Sequence, residues 1–176
     1  QLPSRIEWPE ITGGPDVTEA FHAGVLDVGF GASVPPIHAV WMGIPVRIIA
    51  FREYAEREGR HAYVLGIAPK AGINTLADLR GKRIGCPEYQ LTACVWIRAI
   101  LEGDYGVKPS EVTWVRGGLE QPGRAEKISV ELPPEITVVQ APADRSLNEM
   151  LMSGEIDAYI GPRSAPAFGA GHPGVA

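Results

Sequence analysis

Cysteine is nearly absent: the 176 residues contain two. They stand eight apart, as Cys86 and Cys94, in what reads as a strand end and the interior of a helix. A disulfide staple is not expected between such places, so both are predicted to be free thiols, and two cysteines leave the compartment open. A basic excess is also lacking. Lys and Arg number 16 against 21 Asp and Glu, giving a formal charge of −5 and a pI near 5.4. The positive field that a phosphate backbone requires is missing, which excludes nucleic acid as a partner. No apolar run reaches the roughly 20 residues of a membrane-spanning helix; the stretch from Pro35 to Pro45 is broken by His38 and by glycine and proline. His22, His38, His61 and His172 have no metal-ligand spacing to one another or to the cysteines, and no glycine run spells a phosphate loop or a dinucleotide fingerprint. Neither a metal nor any other cofactor is therefore expected. Gln1 is not an initiator, no signal region is legible, and Gly169–Ala176 is turn-rich with nothing after it, so the chain reads as a fragment or processed piece.

What the sequence has in plenty is glycine (21) and proline (16), both above the roughly 7% and 5% of average proteins. They form no repeat. They punctuate short apolar runs instead, which points to brief strands and helices joined by tight loops. Strands are predicted near Arg5–Trp8, Leu26–Phe30, Val46–Arg52, Ala62–Ala68, Arg83–Gly85, Val112–Val115, Thr137–Gln140 and Ile156–Ile160, and helices over Asp16–Ala23, Val34–Met42, Leu76–Leu79, Leu91–Glu102 and Leu147–Met152. Their alternation predicts an α/β fold with a mainly parallel sheet. In Leu91–Glu102 the apolar residues form one broad face, leaving Arg98 and Glu102 as an i,i+4 pair outside. Trp41, Trp96 and Trp114 read as core anchors, and His38 as a packed helix residue.

The chain also matches itself. Glu19-Ala-Phe-His-Ala-Gly24-Val-Leu-Asp27-Val-Gly-Phe-Gly31 aligns, at a constant offset of 130, with Glu149-Met-Leu-Met-Ser-Gly154-Glu-Ile-Asp157-Ala-Tyr-Ile-Gly161, and Pro36 and Pro166 keep the offset. Each copy reads as helix, glycine C-cap, short strand and glycine turn into the next helix. Asp27 and Asp157 read as carboxylates that bond turn amides. Two such units predict two similar lobes, in a chain incomplete at both termini: a partial lobe one over residues 1–80 and lobe two over 81–176, with a hinge near Gly66–Pro69 and again beyond the repeat. A ligand would sit in the cleft between them, at the C-terminal ends of the strands. The loops there are Gly31–Pro35 with Ser33, Cys86–Thr92 with Glu88, Tyr89, Gln90 and Thr92, Gly117–Arg124 with Glu120 and Arg124, and Gly161–Ser164 with Arg163 and Ser164. Helix N-termini behind such loops favour an anion, and Arg124 and Arg163 add charge-assisted contacts to a carboxylate or sulfonate. A small organic anion is the predicted ligand.

These segments resemble the type II periplasmic binding protein fold, in its thiamine-precursor, sulfonate and nitrate-binding branch. Trp8 through Pro45, with Gly13-Gly-Pro15 and Pro35-Pro-Ile-His-Ala39, is similar to the first lobe of aliphatic-sulfonate-binding proteins of ABC importers, as is Leu76-Ala-Asp-Leu-Arg-Gly-Lys-Arg-Ile-Gly85 to the opening of their second lobe. From Gly85 onward, Pro87-Glu-Tyr-Gln-Leu-Thr-Ala93-Cys-Val-Trp-Ile-Arg98, Trp114 with Gly117-Gly-Leu-Glu-Gln-Pro-Gly-Arg124, and Gly154-Glu-Ile-Asp-Ala158 resemble 4,5-dihydroxyphthalate decarboxylases. That resemblance implies a carboxy-lyase acting on an aromatic dicarboxylate in aromatic-compound degradation. The first implies instead a substrate-binding protein of an importer, with an ABC permease as partner. The enzyme would be cytoplasmic and the binding protein periplasmic or extracytoplasmic. Under the enzymatic reading Glu88 is expected to transfer protons, its carboxyl raised in pKa by burial against Tyr89. Arg124 and Arg163 would hold the two carboxylates, and Tyr89 or Gln90 would bond the ring hydroxyls.

Overall fold

Apolar runs of four residues, too short to stand alone, become stable by pairing. The computed structural model describes residues 7, 9–11, 14–29, 34–47, 49, 64–68, 70–127 and 130–169, which divide into two compact units, 1–54 and 55–176. In the second unit β1 (Val64–Ile67), β2 (Arg83–Cys86), β3 (Thr113–Arg116), β4 (Thr137–Gln140) and β5 (Ala158–Gly161) form one sheet in the order β1-β5-β2-β3-β4. β5, β2, β3 and β4 run parallel, and β1 lies antiparallel on β5. The α/β class with a mainly parallel sheet is as predicted. The strand bounds at Thr137–Gln140 coincide with the expectation, those of β1, β3 and β5 differ from it by one or two residues at each end, and β2 starts where expected and ends one residue later.

Side chains alternate across this sheet with the period of two that strands impose. Ile84, Cys86, Trp114, Ala158 and Ile160 pack on one face with Cys94, Ile97 and Leu101 of α3 (Thr92–Tyr105). Val115 and Tyr159 pack on the other with Leu147, Met150 and Leu151 of α4 (Leu147–Ser153). Gly85 faces α4 as well, where a Cβ would come within 2.6 Å of Ile156 Cδ1, so the central strand is kept bare for close packing. α3 runs past its expected end at Glu102 and stops at Gly106, whose φ of 65° takes the left-handed C-cap. α4 starts on a capping box, Ser146 accepting from Glu149 N while Glu149 Oε2 accepts from Ser146 N at 2.8 Å, and ends at Gly154, φ 77°. A short α5 (Pro166–Gly169), the helix expected after the glycine turn of the second copy of the internal match, and a 3-10 turn at Pro109–Glu111, not expected from the sequence, complete the unit, with the predicted Leu76–Leu79 forming a 3-10 turn.

Arg98 is not the outer partner of Glu102. It is buried, donates to the Tyr89 carbonyl at 2.6 Å, and lays its guanidinium 3.6 Å from the Tyr89 ring centroid. Trp114 is the core anchor expected, but Trp41 and Trp96 are exposed. Val64–Leu79 pairs and packs within the second unit through β1 and Leu79, so the expected boundary after residue 80 falls inside it. The stretch expected as a hinge begins within β1; Pro69 lies outside the described residues.

The first unit pairs α1 (Gly14–His22) with α2 (Val34–Trp41). The two copies of the internal match share a helix, a left-handed glycine (Gly24 at φ 69°, Gly154 at φ 77°) and a following helix. They differ at the strand. Residues 26–29 form none, because Gly29 packs against Phe21 and Val17 of α1 instead of a neighbouring strand. Val46, Arg47 and Ile49 likewise form no strand, and Arg5–Trp8 and the rest of 46–52 lie almost wholly outside the described residues. Asp157 does bond an amide, though across the sheet and not in its own turn: its Oδ2 accepts from Arg83 N at 2.8 Å, and Asp157 N donates back to Arg83 O at 2.8 Å.

Two carboxylates tie pH to stability. Amides of Thr75 and Asn74 hold Asp78 below its ordinary 3.8, and the Ser146 amide holds Glu149 below its ordinary 4.5. Depressed folded-state values mean that this stabilisation is complete above the unfolded values and is lost as pH falls through the folded ones. Urea midpoints measured from pH 7 downward should therefore fall below about pH 4.5, and Asp78→Asn with Glu149→Gln should flatten that fall.

Candidate functional site

Because β5, β2 and β3 are adjacent and parallel, the loops that follow them leave the sheet at one edge. Three of the four loops expected to form a ligand site meet there, around a pocket of about 520 Å³. Pro87 and Leu91 contribute from the loop after β2, Gly118 to Arg124 from the loop after β3, and Pro162 and Arg163 from the loop after β5, with Tyr159 on the wall. Gly118 is required where it stands, since a Cβ would fall 1.7 Å from Gln121 O. The fourth loop lies in the other unit, and Ser33 is outside the described residues.

The loop carboxylates and arginines form a connected set. Glu88, 4% exposed, accepts from Arg124 Nε at 2.9 Å and from Arg124 Nη2, and its second oxygen from Lys127 N at 3.3 Å. Glu126 accepts from the amides of Tyr89 (2.7 Å) and Gln90 (3.0 Å) and faces Arg116 at 3.6 Å. Gln140 closes the ring, accepting from Arg116 Nε at 3.1 Å and donating to Arg124 O at 3.2 Å. The turn before α3, which has no side-chain cap of its own, is thus held by a carboxylate from another loop. Such charge-assisted bonds are the strong ones.

This arrangement redistributes the expected roles. Arg124 lines the pocket, whereas Glu88 lies behind it with both oxygens engaged and does not face the cavity. Its first neighbour is Arg124, not Tyr89. Tyr89 turns inward onto Arg98 and, edge to face, onto Trp114; burial raises its phenol. Gln90 borders a separate hollow of about 150 Å³ with Arg116 and Glu126. Neither is therefore placed to bond a ring hydroxyl in the larger pocket. Thr92 begins α3 and Ser164 is exposed, and neither lines it. Glu120 and Arg163 do, 3.9 Å apart across exposed side chains. Among the described lining residues Glu120 is the one carboxylate.

Sequence reasoning missed three contributors: Glu126, remote from the amides it holds; Gly118, whose need for a bare backbone shows only in the folded loop; and Tyr159, an aromatic in an apolar strand. Cys86 and Cys94 are free and buried. The Cys94 thiol beside it, together with burial, keeps the Cys86 thiol well above its ordinary 9.0 and hence protonated, which suits packing and not nucleophilic attack. Among the described residues no group of three or more His, Cys, Asp or Glu side chains is placed to hold a metal, and no helix is long and apolar enough to cross a membrane.

Known proteins share both the sequence and the architecture. Over 127 residues, 72% of the chain, it is 53% identical to 4,5-dihydroxyphthalate decarboxylases of Comamonas testosteroni and Pseudomonas putida. It spans 38% and 49% of their respective lengths. The crystal structure of the periplasmic aliphatic sulphonate binding protein of Escherichia coli superimposes with a TM-score of 0.63 at 21% identity, covering 98% of this chain and 46% of that one; at such identity the likeness speaks for the fold, a periplasmic-binding-protein architecture. Residues 7–123 match the family described as NMT1/THI5 like, and with two thirds of its length inside that match the chain belongs to the NMT1/THI5-like family.

Proposed function

We propose that the full-length protein is a decarboxylase of 4,5-dihydroxyphthalate type, and that this chain supplies one wall of its substrate pocket. The observation that carries the reading is the pairing of two arginines, Arg124 and Arg163, on a pocket at the carboxyl ends of parallel strands, in a sequence 53% identical to decarboxylases so named. A dicarboxylate offers one carboxylate to each guanidinium, the planar contact for which arginine is suited.

The chemistry asks little of a cofactor. Loss of a proton from a ring hydroxyl sends electron density to the para carbon, which bears a carboxylate. That carbon takes a proton, its bond to the carboxylate breaks, the electron pair returns to the ring, and CO2 leaves. The balance is one dicarboxylate and one proton giving CO2 and 3,4-dihydroxybenzoate. Glu120, on the wall and, among the described residues, engaged by the 3.9 Å contact to Arg163, is the carboxylate placed to exchange a proton with the substrate. Glu88 then serves to orient Arg124, a different task from the proton transfer expected for it from sequence. The test is CO2 release from 4,5-dihydroxyphthalate by the full-length protein; turnover is expected, and binding without turnover would overturn the reading. Arg163→Ala is expected to raise KM about tenfold with kcat little changed, since what it removes is a charge-assisted contact at an exposed site.

The sulfonate-binding architecture favours one second reading, an importer component that holds a sulfonate or similar anion on the same two arginines without chemistry. An ABC permease partner and a periplasmic location belong to that reading, and a cytoplasmic location to the first.

A further inference from the structure

One polar atom on the pocket wall is left unsatisfied by the fold. Tyr159, in the interior strand β5, is 1% exposed, and its hydroxyl is buried without a hydrogen-bond partner among the described residues. A buried donor without a partner is a cost that folded chains rarely carry, and phenylalanine, of the same shape, would avoid it. The fold also makes room for the group. A Cβ on Gly161 would sit 2.2 Å from the Tyr159 hydroxyl, so the residue after Ile160 is bare where the phenol lies. The side chain borders the same pocket as Arg124, Pro162 and Arg163. Burial raises the phenol above its ordinary 10.0, so it remains protonated as a donor.

We propose that Tyr159 is a substrate-contacting residue whose hydroxyl donates a hydrogen bond to a ring oxygen of the bound dihydroxy dicarboxylate. The inference rests on the decarboxylase reading and adds to it the recognition of the ring. The two carboxylates are matched by the two arginines, which leaves the ring oxygens for a neutral donor. The hydroxyl has no solvent contact as it stands; Tyr159 lines the pocket together with Pro162 and Arg163, and the proposed contact is made from that side.

The test compares the full-length parent with Tyr159→Phe, measuring the melting temperature without substrate and the rate of CO2 release against 4,5-dihydroxyphthalate concentration. A hydroxyl with no partner until substrate arrives predicts a melting temperature equal to or above the parent's, with KM raised about 2–10-fold, as for a lost bond to a neutral acceptor. A lower melting temperature would overturn the proposal, because the hydroxyl would then be bonded within the fold. So would an unchanged KM, whatever happens to kcat. Should the parent release no CO2, the decarboxylase reading and this contact fall together; an active parent with an unaffected variant removes Tyr159 alone.

Discussion

Glu120→Gln in the full-length protein is expected to lower kcat for CO2 release by about 10²–10⁴-fold, the usual cost of removing a positioned acid or base, with KM unchanged or lower. The amide keeps the size of the side chain and its place on the loop after β3, and removes only its ability to take or give a proton. Freed from the contact at 3.9 Å, Arg163 would meet the substrate with its whole charge, hence the direction given for KM. Steady-state rates of CO2 release at saturating and limiting substrate separate the two constants. A kcat equal to the parent's would make Glu120 a rim residue and return proton transfer to Glu88.

Arg124→Ala is expected to act twice. It removes one carboxylate contact, raising KM by about 10²-fold. It also leaves the Glu88 carboxylate, 5% exposed at its side chain, with Lys127 N at 3.3 Å as its remaining hydrogen-bond partner among the described residues. Breaking a wholly buried ion pair costs about 3–5 kcal/mol; the Arg124 side chain is 43% exposed, so a loss of about 1–3 kcal/mol is expected after allowing for solvent screening. Urea unfolding followed by Trp114 fluorescence reads that loss. Adding Glu88→Gln should recover most of the stability and none of the KM, because it neutralises the stranded charge without replacing the guanidinium. Glu88→Gln alone should move KM and leave kcat within a few-fold; a fall of 10²–10⁴ in kcat would show that Glu88 exchanges protons after all.

The sheet was the most legible part of the fold. Short apolar runs bounded by Gly and Pro, as at Val112–Val115 and Thr137–Gln140, fall where strands form because pairing and burial act on the same residues. Leu26–Phe30 has the same signature, yet Leu26–Gly29 forms no strand: a strand needs a neighbour, and Gly29 is instead pressed against Phe21 and Val17 of α1. Arg98 illustrates a second kind of failure. Helical spacing places it four residues from Glu102, but the ring and carbonyl of Tyr89 receive it instead, and no local pattern encodes that contact. In the site, the three loops were legible because alternation of strands and helices implies parallel strands, whose following loops leave the sheet at one edge. The division of labour within them was not. Whether Glu88 faces a ligand or an arginine depends on how residues 117–124 fold back, through Gly118 and the positive φ of Gly123. Tyr159 escaped for the opposite reason, since an aromatic in an apolar strand reads as core, and it is core except for one oxygen.

The strand order carries a consequence for how the chain acquires its structure. β5 is the last of these five strands in chain order and lies between β1 and β2. A nascent chain that has emerged as far as β4 can pair β2, β3 and β4, while β1 waits for residues 158–161 before any partner in the sheet exists. Closure over that separation is slow, as non-local pairing generally is, and the edges of β1 and β2 stay open meanwhile, a state prone to association with other chains. A ribosome stalled before residue 158 would therefore display this sheet without its link between β1 and β2, and emergence of the few residues of β5 is the step that joins them.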